Sequence, residues 1–387
     1  MKSKIDHKAL GNFIEHDKLD LEFDRIINNL ATVEMEYGID VIFKYYRKHG
    51  YPHYSVRHDE KYKIMRQLRR FDYDSIFVDK KIIQTMHGLR LAWSYFPHWV
   101  DVRCGTAKLS PLELFNDDEL FRNIIRKVWI YHLKHEPDKF TVNRMRMGLK
   151  VYEGSQAVSN FRPTAAGVIY KQYGGDGVVY DSSCGWGGRL IGALASNTIK
   201  HYIGVDPSSK TYQGLLQIKK DFIHLGKKVE IYMKGSENFI PKEDSLDLVF
   251  TSPPYFDTEK YSDEPTQSYI KFPTPDLWID GFLFNTFKNA YFGLKKGGHM
   301  AINIADTPRY NFIEEKTIEK AEFLGFSLVD TIQLSLSSIS GAGEKIEPIF
   351  IFQKEGTSCF VENLIKNQKD IDPEFVDVIN KNFHELI

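Results

Sequence analysis

The sequence predicts an α/β protein: a mostly parallel seven-stranded sheet that ends in an antiparallel hairpin, preceded by a mainly helical region. Three observations carry that expectation. From about residue 161, short apolar runs alternate with amphipathic segments, the order of parallel strands joined by crossover helices. The last two runs are separated only by the turn-rich "SSISGAGEKI", too short for a crossover, so they should pair antiparallel. The first 150 residues carry apolar side chains at helical spacing instead. The expected domains are therefore a helical region over 1–150, an α/β domain over 151–356 and a helical extension over 357–387.

Along the first region, "LDLEFDRIINNLATVEMEYGIDVIFKYYRKHG" reads as helix up to Gly50, a helix-stop signal. "DDELFRNIIRKVWIYHLKHEPDKF" has acids at its start, bases at its end and Pro137 beyond, which suits the helix dipole. Between them "SVRHDEKYKIMRQLRR" gathers Arg57, Lys61, Lys63, Arg66, Arg69 and Arg70, with Ile64, Met65 and Leu68 available to face a core. In the second region the strand candidates are "GVVYDSS", "KHYIGVDP", "VEIYMKGS", "LDLVFTSPP", "GHMAINIAD", "FSLVDTIQLSL" and "EPIFIFQKE". "NFIEEKTIEKAEFLGF" should be the last crossover helix.

Composition bounds the function. Hydrophobic residues are 42% and charged residues 27%, ordinary for a soluble globular chain. No run is long enough to span a membrane, and "MKSKIDHKALGNFIEHDK" lacks the apolar core of a signal peptide. Cys104, Cys184 and Cys359 form no CxxC pair, and His58, His87 and His98 lack ligand spacing, so no metal is expected. A reduced, cytoplasmic setting follows. The net charge of −1 hides an asymmetry, +6 over residues 1–150 against −7 over the rest. A basic half suits a polyanion partner.

"VVYDSSCGWGGRLIGALAS" runs strand, tight loop, helix, with Gly185, Gly187 and Gly188 allowing close backbone approach. Asp206 ends the next strand, 19 residues after Gly187, where a carboxylate can accept hydrogen bonds from two ribose hydroxyls. The pattern G-W-G-G-R-L lacks the last glycine of a dinucleotide loop. Asp181 precedes it, where a pyrophosphate would be repelled and an ammonium welcomed. That combination favours S-adenosylmethionine, which has an amino-acid end and a ribose but no phosphate.

The fourth strand candidate ends in "TSPPY". The two prolines donate no backbone hydrogen bond and fix their own φ, so the strand stops at a stiff tip. The D-x-x-x-G-x-G-G loop, the downstream "VDP" and this tip together resemble the S-adenosylmethionine-dependent amino-methyltransferases of nucleic acid bases. The resemblance covers roughly residues 155–355 and implies a Rossmann-like class I methyltransferase fold. It also implies that Ser252, Pro253, Pro254 and Tyr255 are the catalytic motif. Phe161, Arg162 and Thr164 in "SNFRPTAAG" would serve the methionine end, with Thr164 capping the following helix, and Cys184 lies within the glycine loop. Ser236 and Glu237 would lie near the adenine.

An exocyclic amino group on cytosine or adenine is a weak nucleophile because its lone pair is conjugated into the ring. The Ser252 hydroxyl and the Pro253 carbonyl are placed to accept its N–H groups, and Tyr255 to stack on a base drawn out of the duplex. In the resembled family Ser in the first position is typical of N4-cytosine enzymes and Asp of N6-adenine enzymes, so N4 of cytosine in DNA is favoured. N6 of adenine, an RNA base, and a catalytically silent nucleic-acid-binding protein on the same fold are the alternatives. C5 methylation is disfavoured, because no Pro-Cys occurs. Some 15 residues separate Glu237 from Ser252, too few for a recognition domain, so target recognition falls to the N-terminal half, with Arg57, Lys61, Arg66, Arg69 and Arg70 facing phosphates. Tyr261, in the polar stretch after the tip, is a further nucleic-acid candidate. That stretch reads as a flap over substrate or as a disordered connection. Target sequence and oligomeric state are not encoded legibly.

Overall fold

A computed structural model describes residues 18–105, 107–135, 140–336 and 345–356, together with Leu364. Pro137, Cys359, the hairpin turn at 337–344 and nearly all of the expected 357–387 extension lie outside the described residues. The chain forms two compact units. One holds residues up to Lys61 with Pro97–Ser159 and Thr258–Tyr261, the other Tyr62–Phe96, Asn160–Asp257 and Ser262 onward. Residues 62–96, expected in the helical region, thus cluster with the sheet.

The first unit is built on helices Lys18–Ile27, Met35–His49, Asp118–His135 and Val142–Val151. Their apolar faces bury Phe23, Phe121, Trp99 and Trp129. Gly38 has no side chain because Trp129 occupies its space, a Cβ there falling 2.2 Å from the indole. The Met35–His49 helix stops at Gly50, at φ +82°, as its sequence indicates. A short antiparallel ribbon, Arg103–Cys104 with Glu259–Lys260, completes the unit.

The second unit is a nine-stranded sheet. Its strands are β1 (Phe77–Val78), β2 (Lys81–Ile82), β3 (Val178–Asp181), β4 (His201–Val205), β5 (Lys228–Tyr232), β6 (Leu246–Thr251), β7 (Leu294–Asn303), β8 (Phe326–Leu336) and β9 (Lys345–Lys354). Their spatial order is β1-β2-β8-β9-β7-β6-β3-β4-β5. β3 to β7 are mutually parallel, and β9 runs antiparallel to both β7 and β8. This is the expected Rossmann-like sheet with its antiparallel hairpin, widened by the two short strands beside β8. Those two lie in "IFVDKKI", where Asp79 and Lys80 adopt positive φ in a turn too short to advertise strands.

β6 is buried along its whole length, as a central parallel strand must be. Beside it, Val249, Met300, Ile302, Phe287 and Leu283 form part of the core. Chain order reverses at β3, which has β4 on one side and β6 on the other. Ligands of open α/β sheets bind at such a switch point, outside the carboxyl ends of the strands. The glycine loop follows β3 and the Ser-Pro-Pro-Tyr tip follows β6. Both therefore emerge at that edge from hydrogen-bonded neighbours, Val179 opposite Leu248 and Tyr180 opposite Val249.

Candidate active site

The glycine loop is shaped by three glycines for three reasons. Gly185 has φ +51°, and a Cβ on it would meet nothing nearer than the Ser183 carbonyl at 3.8 Å, so that side of the loop stays open. Gly187 has φ +69° and packs on Phe96 and Ile218. Gly188 opens the helix Gly188–Ala195, and a Cβ there would fall 1.8 Å from the Phe161 carbonyl. The loop is pinned to the segment before it by Asn160, whose Nδ2 donates to the Trp186 carbonyl at 3.0 Å. Trp186 itself packs against Trp93 and Phe96.

Asp181, whose sequence position suggests an ammonium partner, is instead fully buried and held by Arg189, with Nε 2.8 Å from Oδ2 and Nη2 3.1 Å from Oδ1. The Tyr202 hydroxyl donates to the same Oδ2 at 2.7 Å, and Arg189 also reaches the Ser183 carbonyl. A cation in the first turn of a helix opposes the dipole, so Arg189 needs a carboxylate partner. "D…GGR" carried that signal. Cys184 turns inward beneath the loop and is buried, and that burial pushes its thiol pKa up.

Thr164 does not cap its helix. The chain enters Pro163–Tyr173 with Arg162 at the cap position and proline in the first turn, whose missing N–H needs no acceptor. Thr164 is buried and shares a 2.9 Å hydrogen bond with Thr85. Phe161 packs edge-on against Phe250 of β6, and Arg162 Nη1 donates to the Asn160 carbonyl.

Asp206 follows β4 and accepts from two backbone N–H groups, Gly185 at 2.9 Å and Ser208 at 3.0 Å. Burial pushes its pKa up to about 6, against the pull of those two hydrogen bonds. Ser236 is locked to Thr286 at 2.7 Å, and Asn289 Nδ2 donates to the carbonyls of Ser236 and Glu237. Glu237 is buried and paired with Lys271 at 2.9 Å.

The tip leaves β6 with Ser252 half-buried, Pro253 buried, and Pro254 and Tyr255 half-buried. Phe256 then takes φ +53°, rare for an aromatic, and is held there by packing on Trp278 and Tyr310. The Tyr255 hydroxyl reaches Glu347 of β9 at 3.3 Å, and Lys345 closes on the same carboxylate. Asp257 is tied to Arg309 and Tyr310. Two hydroxyls at the carboxyl ends of the neighbouring strands, Ser182 Oγ and Thr251 Oγ1, are buried without a partner.

Residues 246–379 match a protein-family model described as DNA methylase, N6_N4_Mtase. Over those residues the chain resembles the DNA methylase family. The match begins with β6 and contains the Ser-Pro-Pro-Tyr tip. No curated protein matches the sequence. Among solved structures, the chain is similar to a putative RNA methyltransferase from Pyrococcus horikoshii, at 17% identity and a TM-score of 0.34, over 50% of this chain and 82% of that one. It is also similar to magnesium protoporphyrin IX methyltransferase from Synechocystis, at 15% identity and 0.36, over 50% and 77%. A putative S-adenosylmethionine-dependent methyltransferase from Listeria monocytogenes gives 15% identity and 0.34, over 50% and 100%.

The basic candidates of the sequence divide between the units. The helix His58–Arg69 buries Met65 and Leu68 and exposes Lys63, Arg66 and Arg69, with Arg70 exposed just beyond its end. Arg57, exposed, pairs with Asp59. Lys61 belongs to the first unit with Arg57, whereas Arg66, Arg69 and Arg70 cluster with the sheet. Arg69 lies within electrostatic reach of Lys227, whose pKa falls to about 8 mainly through burial. Lys227 precedes β5, at the end of the strands opposite Ser252. Tyr261 also falls in the first unit and donates to Glu259. Some of the basic–aromatic interleaving of residues 51–150 is internal packing, since Arg146 and Lys150 stack on Tyr54 and Lys150 on Trp99. Among the described residues no cluster could hold a metal ion, and no helix is long and apolar enough to cross a membrane.

Proposed function

We propose that this chain transfers a methyl group from S-adenosylmethionine to N4 of a cytosine extruded from DNA. The observation that carries the reading is the placement of the Ser-Pro-Pro-Tyr tip and the glycine loop on hydrogen-bonded parallel strands at the switch point of the sheet. A methyl donor and an amino acceptor bound at these two tips would lie side by side, which in-line transfer requires.

The residues fit the cofactor. Gly185 keeps an open side, Asp206 retains acceptor capacity beyond its two backbone bonds, and the orphan hydroxyls of Ser182 and Thr251 need partners. Phe161, Arg162, Thr164 and the Cys184 backbone shape the side near the methionine end, with Asp181 acting through Arg189 to hold the loop. Asp206 receives the ribose, and Ser236 and Glu237 border the adenine. When bound, the cofactor supplies an electrophilic methyl on sulfonium.

On the acceptor side, the Ser252 hydroxyl and the Pro253 carbonyl accept the two amino N–H groups. This draws the nitrogen lone pair out of conjugation and aims it at the methyl. Pro253 and Pro254 hold the acceptors stiff, so little ordering remains for the transition state. Tyr255 stacks on the base, a contact worth roughly 1–3 kcal/mol. Ser252 stands where the adenine enzymes of the resembled family typically carry a carboxylate, which favours cytosine, and its hydroxyl can both accept from the amino group and donate to the ring nitrogen beside it. Arg57, Lys61, Arg66, Arg69, Arg70 and Tyr261 are assigned to the nucleic acid in the same reading. Cys104 and Cys184 are buried and form no disulfide among the described residues, in keeping with the cytoplasmic setting it assumes.

The test is incubation of DNA and RNA with labelled S-adenosylmethionine, followed by mass spectrometry of the digested nucleosides. N4-methylcytosine from DNA is expected. N6-methyladenine would keep the mechanism and overturn the base, label in RNA alone would overturn the polymer, and no label with cofactor bound would leave a silent fold.

A further inference from the structure

Between the tip and the helix Phe284–Gly293 the chain forms a strap tied at two points to segments that the proposed function places beside the adenosine of the cofactor. Glu264 accepts the Ser209 backbone N–H at 3.1 Å, and Thr266 Oγ1 donates to the Pro207 carbonyl at 3.2 Å. These contacts tie one end of the strap to the loop that carries Asp206. At the other end Lys271 pairs with Glu237. Gln267 lies between the two ties. It is only 5% exposed, and its Nε2 is buried with no hydrogen-bond partner.

A buried amide donor left unmade costs about 1–3 kcal/mol, so a native chain keeps one only where something else completes it. Its backbone gives no reason for the residue, since N–H and C=O are already used in the turn to Glu264, Ile270 and Lys271. Alanine or leucine would fill the site without the penalty. One anchor of the strap, at Pro207 and Ser209, follows Asp206, and the other is Glu237, so in the proposed reading the part of the cofactor nearest Gln267 is the purine. Adenine presents ring nitrogens that accept hydrogen bonds and have no other use for the lone pair.

We propose that Gln267 is a cofactor-recognition residue whose Nε2–H donates to a ring nitrogen of the adenine. The proposal rests on the reading of the site as an S-adenosylmethionine pocket. The strap then reads the base of the cofactor, while its ties to Pro207 and Glu237 hold it in register over the nucleoside. Glu264 strengthens the tie, because the hydrogen bonds from Ser209 and Ser262 outweigh burial and keep its carboxyl below the usual range.

The experiment is calorimetric binding of S-adenosylhomocysteine and of its 1-deaza, 3-deaza and 7-deaza adenine analogues to the wild-type chain and to Gln267→Met. Wild-type protein should bind one of the three analogues about tenfold more weakly than the parent, the loss expected when a buried donor is deprived of its acceptor. Gln267→Met should bind the parent about tenfold more weakly and lose all discrimination against that analogue. Equal wild-type affinity for all four compounds would overturn the proposal without any reliance on the variant. So would a Gln267→Met variant that still discriminates. Absence of any binding by wild-type protein would instead remove the cofactor reading itself, and this inference with it.

Discussion

Asp206 meets the ribose, in the proposed reading, with a carboxyl that burial has moved from the ordinary 3.8 to about 6. The direction has two consequences. In the protein alone, the protonated group contributes stability that is fully present below about 3.8 and is lost as pH rises through about 6. Ribose hydroxyls donate to the ionised form, so binding below that pKa must first expel a proton. The dissociation constant for S-adenosylhomocysteine should be flat from pH 8 to 7 and rise by up to about tenfold per unit below about 6. Asp206→Asn should erase that inflection, and a profile unchanged by the substitution would assign the ribose to another group. Ser252 calls for the complementary pattern. Ser252→Ala should lower kcat by about 100-fold while leaving cofactor affinity within about twofold, because its acceptor acts on the transition state alone. At this scale the sequence showed which residues gather at the site but not how they are wired. Asp181 and Asp206 were both legible as acids beside a glycine loop. Only the folded arrangement shows that one is neutralised by Arg189 while the other is held by two backbone N–H groups.

Strands and tips were legible because their signals are local. β6 is apolar from Leu246 to Phe250 apart from Asp247 and is cut by two prolines, and no long-range fact is needed to place it centrally with a stiff end. β1 and β2 are two residues each and exist only because the edge of β8 accepts them, so no propensity could announce them. The stretch after the tip is ordered by single hydrogen bonds to Pro207, Ser209 and Glu237, made across some 30 to 60 residues of sequence that composition does not encode. Within the glycine loop, substitution should separate shape from ligand access. Gly188→Ala drives a methyl into the Phe161 carbonyl and should cost about 2–3 kcal/mol, read as a fall in Tm, because backbone must move. Gly185→Ala meets open space and carries only the penalty of positive φ, about 1–2 kcal/mol. It should fold, yet lose cofactor affinity by more than its stability loss explains. Equal effects of the two changes on binding would mean that the open side is not where the ligand approaches.

For the whole molecule, the charge asymmetry of the sequence resolves into an exposed basic helix face rather than a basic domain. Arg66, Arg69 and Arg70 cluster with the sheet, and Arg69 stands toward Lys227, at the far end of the strands from Ser252. Reversing the three charges should therefore weaken DNA association and reduce its salt dependence by about one unit of slope for each phosphate no longer neutralised, while kcat at saturating DNA is unchanged. A fall in kcat would place this helix against the target base instead. Domain limits were the least legible feature of the sequence, because texture changes once near residue 160 whereas the folded chain passes between the two units five times. The last two passages enclose Thr258–Tyr261, just after the Ser-Pro-Pro-Tyr tip. A unit stitched to its neighbour in that way cannot be traded by a single recombination event. A lineage carrying this arrangement would change that unit through accumulated point substitutions, not through the shuffling of a ready-made cassette.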